Sequence, residues 1–389
     1  MATLSEELQT LPFFRRVALA DVRASVPLWS EVALQPGELL WKQGGTVDEL
    51  CVVVIGDMVA EVDGVEVGRV MPGELLGEAS AFFSGNQRSA SVRARSPAQV
   101  LALSTASVRT LRWQRSPVYE ALLDQALLTL VRRIRQTDVR IAQVAHGTDA
   151  APNRNEPSGL AKLWKALRPG GPSGACPPIE PLIRKQPGLR EADDAVIAAI
   201  AQGFVAEPVQ EGQVLFLEGE AGSASYLVAD GNVGVLRHVR GDRAELLATL
   251  KPGDQFGVNT LVERGARTAS CVASTAGWLW KMDAEAYGRL RGDARMLWRE
   301  SVLAVLGSQI RNANAALQRA TPAIERSPAA AAGANGAVAT RGGAPKRDGF
   351  NDLLKASGFL EGLPAGEAEL EQLEVVLTED DKRNPRKRY

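Results

Sequence analysis

Residues 72–92 read Pro-Gly-Glu-Leu-Leu-Gly-Glu-Ala-Ser-Ala-Phe-Phe-Ser-Gly-Asn-Gln-Arg-Ser-Ala-Ser-Val, and their types make sense together as one anion site. Gly77 permits a tight turn into a short helix whose first amides lack partners inside the helix. Such an N-terminus attracts a phosphate. Arg88, eleven residues after Gly77, supplies a bidentate fork for the same anion. Glu78 beside an anion makes sense as an acceptor for a ligand hydroxyl. A phosphate joined to a sugar hydroxyl is a nucleotide. The competing reading is an Arg–Glu pair that closes a surface loop, the ordinary meaning of one isolated Arg and Glu. The complete run in a Gly-punctuated frame favours the nucleotide.

The frame that must hold this run occurs twice. Gln35-Pro36-Gly37-Glu38-Leu39-Leu40, Gln43-Gly44-Gly45 and Cys51-Val52-Val53-Val54-Ile55-Gly56 are echoed by Gln210-Glu211-Gly212-Gln213-Val214-Leu215-Phe216, Glu218-Gly219-Glu220 and Tyr226-Leu227-Val228-Ala229-Asp230-Gly231. Pro72-Gly73-Glu74 and Pro252-Gly253-Asp254 then introduce a cassette in each copy. Short β-branched runs between Gly turns predict a small antiparallel barrel. The expected fold is therefore α+β, mainly β: two tandem jelly-roll β-barrels, each with lead-in helices (about 4–27 and 180–205) and a long closing helix (about 117–145 and 284–318). The expected domains are 1–145 and 180–320, with a Pro/Gly/Asn-rich linker at 146–179. An Ala/Gly-rich disordered linker at 321–348 and a short helical segment with a basic tail at 349–389 complete the division.

In the first closing helix Leu123, Leu127, Leu130, Ile134, Thr137, Ile141 and Val144 are spaced 4, 3, 4, 3, 4, 3. This is a coiled-coil seam, with Thr137 as its polar member. Tyr119, Leu122, Ala126 and Val131 form a neighbouring face suited to the chain's own barrel. Leu303, Leu306, Ile310, Ala313 and Leu317 make a similar stripe in the second closing helix. The seam predicts either a homodimer or an internal pseudo-dimer.

The run 72–92 resembles the phosphate-binding cassette of the cyclic nucleotide-binding domain family, most closely that of the bacterial catabolite activators. The resemblance covers most of residues 4–145 and 180–318. It implies that Gly77, Glu78, Ala79, Ser80, Arg88 and Ser89 hold a cyclic phosphate and its ribose, with Glu78 on the 2′-hydroxyl. Arg132-Arg133-Ile134-Arg135-Gln136-Thr137 resembles the helix whose threonine meets adenine in those activators. That makes Thr137 a base contact, against the plainer reading of a tolerated or register-fixing seam residue. Asp138 replaces the serine expected next. The implied ligand is cAMP or cGMP, with Thr137 favouring cAMP.

In the second cassette Gly257 and Arg267 stand ten residues apart, the step of the family it resembles, and Thr268 follows. Val258, however, stands where the ribose-binding Glu belongs, and Ala313 stands at the position of Thr137. A hydroxyl buried against Val258 loses its acceptor, at a cost of about 1–3 kcal/mol. The second copy is thus expected to be degenerate, with Gly257, Arg267 and Thr268 leaving only a weak anion site.

Other classes fit poorly. With only His146 and His238, the chain lacks the His clusters of a metal-dependent barrel enzyme, and neither a P-loop nor a Gly-x-Ser-x-Gly elbow is present. No metal site and no enzymatic activity are expected. A net charge of −1 gives no general attraction to nucleic acid or membrane, and residues 146–179 and 349–389 offer no basic recognition helix for DNA. No apolar stretch reaches membrane-spanning length. The acidic N-terminus lacks a signal core, and the three scattered cysteines suit free thiols, so the cytoplasm is expected. Arg15-Arg16-Val17-Ala18 resembles the pseudosubstrate of cAMP-dependent kinase regulatory subunits, but is expected inside the lead-in helix. The function that follows is a cyclic nucleotide sensor that relays helix movement to an unidentified effector protein. A kinase or transcription regulatory subunit, or a ligand-independent scaffold, is the alternative.

Overall fold

The computed structural model describes residues 4–82, 87–146, 172, 174–238 and 244–320. The fold is α+β and mainly β, with two separate antiparallel β-rich regions flanked by helices. In the first region one sheet has the strand order Trp29–Leu34, Ala98–Ser104, Glu49–Ile55, Leu75–Leu76. The other has the order Leu39–Trp41, Ser91–Ala94, Met58–Val62, Val65–Val70. Alternate residues point inward, as the period of a strand requires: Ala98, Val100 and Ala102 from one strand meet Met58, Val92 and Ala94 of the opposite sheet in one core.

The second region repeats this plan with strands Val205–Val209 to Gly277–Asp283. Its core gathers Phe216, Tyr226, Val228, Phe256, Cys271 and Leu279. The copies share a register irregularity, between Val53 and Ile55 in one and between Val228 and Asp230 in the other. Cys51, Cys176 and Cys271 form no disulfide among the described residues.

The lead-in segments are short helices: Leu4–Thr10, Pro12–Phe14, Leu19–Ser25 and Val26–Leu28 in the first copy, Glu180–Arg184 and Asp194–Ala201 in the second. Arg15 to Ala18 therefore lies in the turn between two of them, with Val17 buried and both arginines exposed, and not inside a helix. The first closing helix runs Pro117–His146. The second is broken into Ala284–Arg289 and Gly292–Ala320, because Leu290 is extended and Gly292 takes a φ of +54°.

The two closing helices pack on each other, side by side and parallel. Leu123, Leu127, Leu130, Ile134 and Ile141 of one are buried, as are Leu303, Leu306, Ile310 and Leu317 of the other. Arg295 donates to Glu120 at 2.6 Å and Arg299 to Asp124 at 2.5 Å, both pairs 175 residues apart. Arg112 forks onto Glu300 at 2.6 and 2.9 Å, and the Tyr119 hydroxyl donates to the same carboxylate. Tyr119 thus bridges to the second closing helix as well as packing 5.8 Å from the Phe82 ring of its own domain. At the far end Ile141 and Leu317 meet Val62, Val67 and Ala90 of the first barrel. Within the chain, the seam of the first closing helix is satisfied by the second.

Of the expected linker, Gly174 and Pro177 accept bonds from Trp278 and Trp280 on the second barrel, at 3.2 and 3.0 Å. Residues 147–171, 321–348 and 349–389 lie outside the described residues. Among the described residues no helix is long and apolar enough to cross a membrane, and no cluster of His, Cys, Asp and Glu is placed to hold a metal.

Candidate functional site

The strand Leu75–Leu76 runs into Gly77, whose φ is +81°. A Cβ there would stand 2.6 Å from Arg88 Nη1 and 3.2 Å from the Glu49 carbonyl, so both conformation and space demand glycine. The one-turn helix Glu78–Ala81 follows, closed by a bond from Ala81 N to the Gly77 carbonyl at 2.9 Å. Ala79 and Ser80 lie in this turn; their side chains are outside what the structure describes.

The Arg88 guanidinium carbon lies over the Trp41 ring, 3.7 Å from its centroid, and its Nη2 donates to Asp48 Oδ1 at 3.1 Å. Its Nε and Nη1 are buried without a partner among the described residues. Glu78 faces the first closing helix, where Arg133 Nη1 donates to its Oε1 at 2.5 Å and Arg133 Nη2 to the Leu75 carbonyl at 2.7 Å. Glu78 Oε2 is buried without a partner.

Both charges are nearly sealed: Glu78 is 1% and Arg88 3% exposed. Burial raises the Glu78 pKa against the opposing pull of Arg133. Burial also lowers that of Arg88, against Cys51 and Asp48. Unsatisfied buried groups of this kind each cost about 1–3 kcal/mol. The free valences are two donors on a cation and one acceptor on a carboxylate, the complement of an anion joined to a hydroxyl.

Ser89 is half-buried beside Arg88. Thr137 is buried at 2% exposure, one helical turn after Arg133 on the same helix. Trp41, Asp48 and Arg133 are the partners that the sequence reading missed. Arg133 had a signal, its place four residues before Thr137 in a run already compared with the family. Asp48 and Trp41 had none, since only the fold brings them to Arg88.

The second cassette has the same frame but a different interior. Gly257 again has a positive φ of +73°, and a Cβ there would meet Arg267 Nη1 at 2.7 Å. Arg267 lies over the Phe216 ring at 3.9 Å, as Arg88 lies over Trp41. Its Nη1 is already engaged, donating to the Ala224 carbonyl at 2.8 Å, the Gly257 carbonyl at 3.2 Å and Thr260 Oγ1 at 2.6 Å. Val258 is buried where Glu78 stands in the first copy, and Thr268 is half-buried. Asn314, which follows Ala313, is buried on the second closing helix.

The residues around Thr137 also join the two domains. Arg237 of the second barrel donates to Asp138 at 2.8 Å, and burial outweighs this attraction to push the Asp138 carboxyl up to about 6.

The profile of the cyclic nucleotide-binding domain matches residues 31–114 and 206–292. The chain is 28% identical over 146 residues to the cAMP-dependent protein kinase regulatory subunit of Schizosaccharomyces pombe, covering 38% of this chain and 34% of that protein. It is 43% identical over 63 residues to the Cyclic AMP receptor protein of Thermus thermophilus, covering 16% and 29%. It is 29% identical over 122 residues to a CRP-like cAMP-activated global transcriptional regulator of Mycobacterium tuberculosis, covering 31% and 54%. The chain therefore spans between 29% and 54% of the lengths of these relatives. Among solved structures, the regulatory domain of Toxoplasma gondii PKA with cAMP aligns at 16% identity and a TM-score of 0.28, over 76% of this chain and 93% of that one. The two barrels are tandem members of the cyclic nucleotide-binding domain family.

Proposed function

We propose that the chain is a non-enzymatic, cytoplasmic cyclic nucleotide sensor that binds cAMP in its first domain and not in its second. The observation that carries this reading is the contrast between the two cassettes. In the first, Arg88 and Glu78 keep buried donors and an acceptor without partners. In the second, Val258 has removed the acceptor and Arg267 Nη1 is taken up by the Ala224 and Gly257 carbonyls and Thr260, which leaves one buried donor, Nε, without a partner. The phosphate falls to Arg88, Ser89 and the amides around Ala79 and Ser80, the ribose hydroxyl to Glu78, and the base to Thr137. Ligand on the free Glu78 Oε2 joins Arg133 on the same carboxylate and draws the first closing helix over the base, shifting a pre-existing equilibrium toward the closed position. That helix is paired with the second one, which passes the shift to an effector protein. The internal pairing supports a pseudo-dimer within one chain rather than a homodimer.

Calorimetry of the full chain with cAMP and with cGMP tests the reading. The expected result is one cAMP per chain, with cGMP weaker. Two sites of equal affinity refute the assignment to the first domain, and heat-silent titrations with both nucleotides favour the scaffold.

A further inference from the structure

The first closing helix is gripped from two sides within two turns. Arg133 faces the first cassette, where it holds Glu78 and the Leu75 carbonyl. Arg132 and Arg135, three apart and so on one face, reach the second cassette instead. Arg132 Nε donates to Glu263 Oε1 at 3.1 Å, and Arg135 donates to Glu263 Oε2 at 2.7 Å and to its carbonyl at 3.2 Å. The loop closes tightly on this fork, since a Cβ at Gly265 would stand 3.0 Å from Arg135 Nη2. Glu263 ends the helix Val258–Val262, in a loop made firm by the Arg267 bonds to Ala224, Gly257 and Thr260.

Access to the first site requires movement, because Glu78 and Arg88 are buried and Glu78 is held by Arg133 of this helix. A helical turn moves as a unit, so lifting Arg133 away from Glu78 pulls Arg132 and Arg135 from Glu263. We propose that Glu263 is a positioning residue of the first site. The second cassette, without a ribose-binding carboxylate of its own, uses Glu263 to latch the first closing helix and set the rate at which the first site opens. The inference rests on the first site taking a cyclic nucleotide. The latch grips the helix and touches no ligand, so it is made in the closed state with or without nucleotide. Weakening it raises association and dissociation together and leaves the affinity nearly constant.

Stopped-flow mixing of the full-length protein with a fluorescent cAMP analogue gives the association rate, and a chase with unlabelled cAMP gives the dissociation rate. Glu263→Gln is expected to raise both by about tenfold, the scale of one lost bond to a charged group, with Kd changed less than about threefold. Arg132→Gln/Arg135→Gln cuts the same contact from the other side and gives the same two changes, which keeps the test alive should one variant fold poorly. Combining all three substitutions adds nothing further, as expected for partners in one contact. Unchanged rates in either variant overturn the latch, as does a rise in dissociation alone. A parent that does not bind cAMP overturns the reading of the first site itself, and the latch with it.

Discussion

Arg88 lies over Trp41, donates to Asp48 and keeps two further nitrogens buried without a partner, an arrangement that a point ammonium cannot reproduce. Arg88→Lys is expected to weaken cAMP binding by at least about tenfold in calorimetry, although the charge is kept. Glu78→Ala is expected to weaken it on the same scale, and it also leaves Arg133 without its carboxylate. Asp138 makes a pH prediction. Its folded-state pKa is raised to about 6, with burial as the chief cause, Arg237 opposing and Glu218 adding to the rise. A carboxyl with a raised pKa holds its proton more tightly in the folded chain. Its contribution is therefore unfavourable above pH 6 and is relieved as pH falls from 6 toward 4. Urea midpoints at pH 5 and pH 7.5 measure this. Asp138→Asn is expected to flatten that part of the profile; an identical profile in the variant refutes the assignment. The glycine, the arginine and the carboxylate of the site were legible because their chemistry is local to one run. The Asp138–Arg237 pair, 99 residues apart, had no local signature.

The 4-3 spacing of the first closing helix was equally legible, but its partner was not. Both closing helices carry a similar apolar stripe, and apolar stripes do not discriminate. Charge does: Glu120 and Asp124 face Arg295 and Arg299, whereas a parallel in-register pairing of two first helices would set Glu120 against Glu120. The break at Leu290 in the second helix was missed although Gly292-Asp293 marks a helix boundary in the sequence, because the expected span ran on through it. Leu130 and Ile134 are 0% and 4% exposed in the seam. Changing both to Glu removes packing and buries charge, and is expected to lower the melting temperature by about 10 °C or more, at about 3 kcal/mol or more per site. The mass in light scattering is expected to stay that of one chain. A parent dimer that becomes a monomer would instead place the seam between chains.

For the whole molecule, the repeat announced two copies, while their relation to each other emerged only from contacts between residues about a hundred positions or more apart. Tethered partners meet at an effective concentration of roughly millimolar, set by the linker and independent of the amount of protein. Dilution from micromolar to nanomolar is therefore expected to leave both melting temperature and cAMP affinity unchanged, which a fluorescence titration at several protein concentrations checks. A homodimer would lose its seam over that range. Joining the halves end to end has a further consequence. In a symmetric pair of identical chains each substitution is written twice, so a valine at the ribose position would strip the carboxylate from both cassettes. Here the halves are free to diverge: Val258 alters one and Glu78 remains in the other.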